Sequence, residues 1–192
     1  MIAFEQLLER DALYLFEFSP QVVTIHEQPF KFFYADGAKT RRYTPDFALT
    51  LSDHSQLVIE VKPRRSLAKP EVQTKLAAIS EAMVRQGHRF LVLSDDIIRA
   101  EPRLSNLKRL FPHLSHPVSD AMRRRLRALV ESPTQGGTLQ VRALAELIGG
   151  VTAVFHLLAH GLIGTDSSQP IDQNSTVSLF PEEADHVRIN WL

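Results

Sequence analysis

The sequence predicts an α/β fold, with a mixed sheet flanked by helices and then a smaller, mostly helical domain. Residues 41–51 and 56–62 alternate apolar and polar side chains as strands do. A helix follows over 69–87, opened by a proline and closed by a glycine. The nearly all-apolar segment 89–95 comes next and is typical of a buried strand. This strand–helix–strand order predicts a parallel crossover, which is the mark of an α/β sheet.

The first hundred residues supply the other elements of this domain. The predictions, in order, are a helix at 2–18 and strands at 22–28, 30–36 and 41–51. Pro20 ends the helix, and the first two of these strands are expected to pair with each other. Pro45 lies inside the third strand and indicates an edge, a bulge or a strand start. We expect the first domain to span residues 1–100.

Residues 101–118 are expected to form a linker that contains a short helix, and residues 119–192 a second domain. Its predicted elements are helices at 119–131, 139–148 and 151–160, then two short strands. Three helices and a small hairpin outline a winged-helix-like domain. Such a domain usually binds DNA, but its third helix has no Lys or Arg, so we interpret it as a protein-docking module. The tail "HVRINWL" is interpreted as a last strand or a partner-binding peptide.

Composition excludes some classes of protein. The chain has no cysteine, which rules out disulfides and Cys-type zinc or redox sites. The first helix carries several acids, so it is expected to be neither a signal peptide nor a membrane span. A cytoplasmic protein without membrane contact is the expectation.

Charge is distributed unevenly although the formal net charge is zero. Residues 1–62 carry 6 Lys/Arg against 9 Asp/Glu, a net −3. Residues 63–130 carry 14 against 6, a net +8, and residues 131–192 carry 2 against 7, a net −5. A basic middle between acidic flanks indicates that a polyanion binds one face, although an ordinary solvated surface is the simpler alternative.

Opposite charges interrupt the most β-prone segment, "LVIEVKP". Glu60 and Lys62 are two residues apart, so both side chains point to one face of the predicted strand. Asp46 lies on the preceding strand, and a hairpin would bring it beside Glu60. Two carboxylates and an ammonium group on one patch favour a hard divalent cation such as Mg²⁺ or Mn²⁺. The alternative is an exposed edge-strand ion pair between Glu60 and Lys62.

The sequence "PD" at residues 45–46, followed by "EVK" at residues 60–62, resembles the PD-(D/E)xK nuclease motif. This resemblance implies a restriction-endonuclease-like fold. In such a site the lysine would position a metal-bound water and stabilise negative charge on phosphorus. A further acid is expected from the first helix. The residues alone leave four candidates open: Glu5, Glu9, Asp11 and Glu17.

A more specific resemblance covers about residues 3–95. The segments "LLERDALYLFEFSPQVVTIHEQPF", "RYTPDF" and "VIEVKP" resemble the N-terminal domain of TnsA, the endonuclease subunit of heteromeric bacterial transposases. The resemblance implies a catalytic set of Glu9, Asp46 and Lys62, with Glu60 two residues before the lysine. It implies a Mg²⁺ site formed by Glu9, Asp46, Glu60 and the Val61 carbonyl, in which Mn²⁺ would substitute.

The same resemblance implies a function in DNA transposition. TnsA-like subunits cut the 5′ strand at each transposon end, an RNase H-like transposase subunit cuts and joins the 3′ ends, and an AAA+ regulator contacts the C-terminal part. Arg64, Arg65 and Lys69 are expected to contact the backbone of double-stranded DNA. Two alternatives stay open. One is a stand-alone nuclease of this fold, such as a Holliday-junction resolvase or restriction enzyme, and the other is a non-catalytic DNA-binding or scaffold protein.

Overall fold

A computed structural model describes residues 2–132 and 137–179 of the chain, with side chains from residue 6 onward. The chain divides into two units, Met1–Ala100 and Glu101–Leu192. Each unit is described by itself below. The predicted tail at 186–192 lies outside the described residues.

The first unit contains a mixed α/β arrangement. Its elements are α1 (Ile2–Glu17), β1 (Val22–Glu27), β2 (Phe32–Asp36), β3 (Lys39–Tyr43), β4 (Phe47–Leu51), β5 (Gln56–Val61), α2 (Arg64–Leu67), α3 (Pro70–Arg85), β6 (Arg89–Leu93) and α4 (Asp95–Ile98). Four strands form one sheet in the order β1-β4-β5-β6, and β2 pairs with β3 in a separate two-stranded sheet. The predicted crossover is confirmed, because β5 and β6 are parallel and α3 connects them.

Two predictions about the early strands are wrong. β1 pairs antiparallel with β4, not with β2. The predicted third strand, 41–51, is two strands, because β3 ends at Tyr43 and β4 begins at Phe47. Pro45 lies between them and has no N–H for a strand ladder, so the chain leaves one sheet there and enters the other.

Helices cover both faces of the four-stranded sheet. On one face α1 buries Phe16, whose ring meets Phe47 edge to face with the centroids 5.2 Å apart. On the opposite face Val58 packs with Ile79 and Met83 of α3 in a buried cluster. Successive strand residues face opposite ways, so Glu60 and Lys62 share the face of Val58. The core therefore places these two charges on the α3 side of the sheet.

The second unit contains helices and a small antiparallel sheet. Its elements are α5 (Arg103–Leu110), a 3₁₀ helix (Phe111–Leu114), α6 (Asp120–Val130), β7 (Thr138–Gln140), α7 (Val141–Ile148), α8 (Val151–Ala159), β8 (Ile163–Thr165) and β9 (Thr176–Leu179). The strand order is β7-β9-β8. Residues 139 and 140, predicted as the start of a helix, belong instead to β7, because they pair with β9. The name winged helix stays a prediction.

The predicted linker at 101–118 is part of the second unit. The buried Asn106 on α5 donates through Nδ2 to the carbonyl of Gln169 at 2.8 Å. Its Oδ1 accepts from the backbone N–H of Ile171 at 3.0 Å. A buried side-chain amide bonded in both directions fixes α5 to the loop before β9. This segment is therefore packed structure and does not act as a linker.

No single helix among the described residues is long and apolar enough to cross a membrane. α7 and α8 meet the length and hydropathy criteria only as a pair, bent by 103°. Their apolar side chains include Leu144, Ile148 and Leu157, which are buried inside the second unit.

Candidate active site

The β4–β5 hairpin brings Asp46 beside the end of β5. Phe47 pairs with Ile59, so the next antiparallel position sets Asp46 opposite Glu60. The backbone N–H of Val61 donates to Oδ2 of Asp46 at 2.7 Å. Asp46 thus lies next to Glu60 and Val61, which follow it in the chain by 14 and 15 positions.

Glu60 is buried and bonded on both sides. Its residue surface is only 5% exposed. Oε1 lies 3.2 Å from Nζ of Lys62, and Oε2 accepts from the hydroxyl of Tyr43 on β3. β5 lies between β4 and β6, so it is no edge strand. The alternative of an exposed edge-strand ion pair is therefore wrong.

The electrostatics of this cluster favour an added positive charge. Burial, followed by the nearby negative charge of Asp46, raises the pKa of Glu60 to about 7, while Lys62 and Tyr43 oppose the shift. Burial, followed by the charge of Glu60, raises the pKa of Tyr43 far above its ordinary value. The phenol therefore stays protonated and donates to Glu60. A single lysine does not fully offset the two carboxylates.

Glu9 on α1 shares a cavity with Asp46. The cavity has a volume of about 250 Å³, and its walls also include Glu27 and Gln28. Glu9 is half-buried, whereas Glu17 is exposed. The side chain of Glu5 lies outside the described residues. Of the helix acids that are described, Glu9 is the one on this cavity.

Asp11, another candidate, has a structural position. Its side chain is buried, and Oδ2 accepts from Nε of Arg99 at 2.7 Å. Arg99 directly follows α4, so the pair ties the N-terminal helix to the end of the first unit. A carboxylate held in this way is occupied by its partner and is not on the cavity.

Gln28 and Glu27 are cavity residues for which the sequence analysis assigned no function. Gln28 has φ 45, a left-handed conformation that is uncommon outside glycine. Its N–H donates to the carbonyl of Asp46 at 2.9 Å. The following Pro29 ordinarily favours an extended residue before it, so no local pattern could have revealed this turn. Strain next to a candidate catalytic aspartate is typical of functional sites.

The three predicted DNA contacts follow β5 directly. Arg64 and Arg65 are exposed on α2, and Lys69 is exposed just before α3. Nη1 of Arg64 lies 3.2 Å from Oδ2 of Asp96, and both groups face solvent. An exposed pair of this kind exchanges partners at little cost, so Arg64 is accessible to a phosphate.

The arrangement of the candidate carboxylates matches a binding site for a hard divalent ion only in part. Within the described residues, no group of three or more His, Cys, Asp or Glu side chains is arranged to hold a metal ion. Glu9 and Asp46 nevertheless place two carboxylates on one cavity. Mg²⁺ is commonly bound by one or two carboxylates together with water and substrate phosphates. This donor chemistry fits Mg²⁺, while ligation by Glu60 and by the Val61 carbonyl stays a prediction.

The fold and the site are consistent with a PD-(D/E)xK nuclease domain. Residues 19–95 match the family model described as TnsA-like endonuclease N terminal. This segment is similar to that domain, and the match covers less than half of the 192 residues. α1 and Glu9 lie outside the matched residues. A search of curated proteins gave no match.

Proposed function

We propose that this chain is the metal-dependent DNA endonuclease subunit of a cut-and-paste transposase and hydrolyses the 5′ strand at transposon ends. The observation that supports it most strongly is the joining of Asp46 to β5, where Glu60 and Lys62 lie 3.2 Å apart inside a TnsA-like domain. These residues combine acid, acid and cation at a position where a purely structural sheet would bury apolar side chains.

Each residue has a distinct proposed role. Glu9 and Asp46 would hold Mg²⁺, with Mn²⁺ as a substitute, and Glu60 and the Val61 carbonyl are further proposed ligands. The ion would supply Lewis acidity toward a phosphoryl oxygen and a more acidic bound water. Lys62, whose Nζ lies 3.2 Å from Oε1 of Glu60, would stabilise negative charge that develops on phosphorus.

Tyr43 is a positioning residue in this scheme. Its hydroxyl donates to Glu60 from the separate β2–β3 sheet. With one oxygen held by the phenol, Glu60 presents the other to Lys62. The lysine is therefore fixed in direction before any substrate arrives, which lowers the cost of orienting it in the transition state.

The substrate and partners follow from charge and from the family. Arg64, Arg65 and Lys69 would contact the phosphates of double-stranded DNA as it leaves the site.

An RNase H-like transposase subunit would cut the other strand, and an AAA+ regulator would dock on the second unit. The acidic balance of residues 131–192 supports protein docking there. Transposon DNA lies in the bacterial cytoplasm, so the proposed function places the chain in that compartment.

The test is strand-specific cleavage of duplex DNA that carries a transposon end, labelled separately at each 5′ terminus. Purified chain is incubated with and without the co-encoded transposase, in Mg²⁺, in Mn²⁺ and in EDTA. We expect a nick at the 5′ end of the element in either metal and none in EDTA. A control variant, Glu81→Gln, should cleave like the wild type, because Glu81 is an exposed acid on α3 that pairs with Arg85.

Other outcomes separate the alternatives. Cutting of a Holliday junction or of unrelated duplex, without any preference for transposon ends, would indicate a stand-alone nuclease. DNA binding without cleavage under every condition, partner included, would indicate a non-catalytic scaffold. Either result overturns the proposal.

A further inference from the structure

Two residues on the cavity of Glu9 and Asp46 have no role in the proposed function. One is Gln28, which directly follows β1, and the other is Arg10 on α1. The residues of α1 that line this cavity are Gln6, Glu9, Arg10 and Leu13. Spacings of three and four residues place them on one side of the helix. Arg10 and Gln28 therefore reach the same cavity from two different elements.

Gln28 has a backbone conformation that its residue type does not favour. Its φ of 45 lies in the left-handed region, where glycine has no steric cost and asparagine or aspartate is the usual alternative. Its N–H donates to the carbonyl of Asp46 at 2.9 Å, so the turn is tied to a proposed ligand of the ion. A glutamine at a strained position on this cavity indicates that its side chain serves the site.

Arg10 supplies a cation that its neighbours hold only weakly. Its side chain is 59% exposed, and Nη2 lies 4.0 Å from Oδ1 of Asp11. Oδ2 of Asp11 accepts from Nε of Arg99 at the much shorter distance of 2.7 Å. A long contact made by an exposed arginine contributes little. The guanidinium group of Arg10 is therefore accessible to a ligand in the cavity.

The charges around the cavity favour a phosphate group as that ligand. Three carboxylates line it, those of Glu9, Glu27 and Asp46, and Arg10 is the one cation among the described residues of its wall. These acids repel a phosphate that approaches the proposed ion, so the phosphate needs hydrogen-bond donors to hold it. Arginine binds phosphate through two parallel hydrogen bonds, and a side-chain amide donates without adding a charge.

We propose that Arg10 and Gln28 form a phosphate subsite that holds one phosphodiester group of the DNA backbone beside Asp46. The choice of DNA as the source of the phosphate rests on the proposed function. The subsite would orient the strand that is to be cut, because its two donors come from α1 and from the end of β1. A phosphate contact carries no sequence information, so the subsite has no base preference.

The experiment compares two double variants of the full-length chain. The first is Arg10→Gln/Gln28→Gly, which removes both donors while glycine keeps the left-handed turn. The second is the matched control Arg85→Gln/His54→Gly. Arg85 is an exposed arginine of α3, and His54 is an exposed residue with φ 64, and neither lines the cavity.

Binding is titrated by fluorescence anisotropy in EDTA, at several salt concentrations, with a transposon-end duplex and an unrelated duplex of the same length. Cleavage of the transposon end is measured in Mg²⁺ under single-turnover conditions. Thermal melting checks folding. The Tm of the first variant should equal or exceed that of the wild type, because glycine fits the turn better than glutamine.

We expect the first variant to bind both duplexes at least tenfold more weakly at low salt. The slope of log K against log salt should fall by about one, since one phosphate contact by a cation is lost. Its cleavage rate should fall at least tenfold although its Tm is kept, which a purely structural role of Gln28 would not produce. The control should bind and cleave within about twofold of the wild type.

The outcomes separate this subsite from the proposed function. If the first variant binds DNA as the control does, the subsite is wrong, and a loss confined to one duplex sequence also overturns it. If the wild type cuts transposon ends and the first variant cuts and binds equally well, the subsite fails and the nuclease proposal stands. If the wild type binds DNA through Arg10 and Gln28 but never cuts it, the nuclease proposal fails and the subsite stands.

Discussion

Asp46 takes up a backbone hydrogen bond of β5 with its side chain. Its Oδ2 lies 2.7 Å from the nitrogen of Val61, which is two residues beyond Ile59 of the last described pair, Phe47–Ile59. The carboxylate of Asp46 thus accepts a hydrogen bond from a strand N–H of β5, and this bond fixes the direction of the side chain. A candidate catalytic acid is oriented here by strand register and not by a flexible loop.

Removing the charge of Asp46 or Lys62 should abolish DNA cleavage without unfolding the chain. Asp46→Asn keeps an oxygen for the N–H of Val61 but loses the negative charge, and Lys62→Ala removes the cation near Glu60. We expect cleavage rates to fall at least 10²-fold in each, the usual cost of losing a central catalytic group.

The folding control for this pair is circular dichroism with a thermal melt. Asp46→Ala, which leaves the Val61 N–H without its acceptor, should lose more stability than Asp46→Asn, by about 1 kcal/mol. Cleavage above about a tenth of the wild-type rate in Asp46→Asn or Lys62→Ala would contradict the assignment.

Glu9 should be the acid of α1 that cleavage requires. It lines the cavity of Asp46, while Glu17 on the same helix is exposed. We expect Glu9→Gln to reduce cleavage at least 10²-fold and Glu17→Gln to leave it within about twofold. Single-turnover rates at several Mg²⁺ concentrations are the measurement. Equal losses in Glu5→Gln and Glu9→Gln would leave the choice between those two unsupported, and a fully active Glu9→Gln would refute it.

The ion pair between buried Asp11 and half-buried Arg99 should contribute to stability and not to chemistry. Arg99→Ala leaves the carboxylate of Asp11 buried without this partner, and the free energy of unfolding should fall by about 3 kcal/mol. Urea unfolding measures it. The matched control is Arg85→Ala, which breaks an exposed pair with Glu81 and should cost less than about 0.5 kcal/mol. A similar loss in both variants would be evidence against a special stabilising contribution of the Asp11–Arg99 pair.

Gln28 should tolerate glycine better than a β-branched residue. At φ 45, a residue with a Cβ has a steric cost of about 1–2 kcal/mol, which glycine avoids. Glycine also loses more conformational entropy on folding, which offsets part of this gain. We expect Gln28→Gly to leave the free energy of unfolding unchanged or up to about 1 kcal/mol higher, and Gln28→Val to lower it by about 1–2 kcal/mol. Chemical denaturation of both variants is the check. The reverse order would show that the left-handed turn is not maintained in solution.

His113 should make the protein less stable in mild acid. Desolvation, followed by the charge of His156 on α8, lowers the pKa of His113 from its ordinary value of 6.5. Arg109 lies nearby, 5.4 Å over the ring of Phe155, which His113 meets edge to face. The unfolded chain therefore binds a proton here before the folded chain does, and stability is lost as pH falls below about 6.5.

The measurement is the free energy of unfolding of wild type and His113→Asn between pH 7.5 and pH 5. The backbone carbonyl of His113, which lies 2.9 Å from Nδ1 of His156, is retained in the variant. We expect the variant to lose less stability over this range than the wild type. Parallel curves would mean that His113 does not contribute to the acid sensitivity.

The local parts of the fold were predictable and the distant pairings were not. The β4–β5 hairpin and the β5–α3–β6 crossover follow from alternation, a polar turn and helix-boundary residues within about forty positions. β1 was assigned to its sequence neighbour β2, because adjacent strands usually pair. Its real partner is β4, and the left-handed turn at Gln28 redirects the chain. No local sequence pattern predicts the left-handed turn at Gln28.

The candidate site divides in the same way. The grouping of Asp46, Glu60 and Lys62 was predictable, since strand spacing puts Glu60 and Lys62 on one face and a hairpin brings Asp46 beside Glu60. Tyr43 could not be assigned, because its contact with Glu60 depends on how the β2–β3 sheet lies against the main one. Glu27 and Gln28 reach the cavity only through the pairing of β1 with β4.

The parallel pairing of β5 with β6 has a consequence for synthesis of the chain. The N–H of Lys62 donates to the carbonyl of Leu93 at 2.9 Å, so the backbone of the lysine is anchored by a residue made some thirty positions later. Pairing across a crossover is a slow, non-local step of folding. A ribosome-bound chain therefore carries all four candidate catalytic residues well before it can hold them in place. Under the proposed function, cleavage would therefore require that the first unit, including β6, has been synthesised and folded.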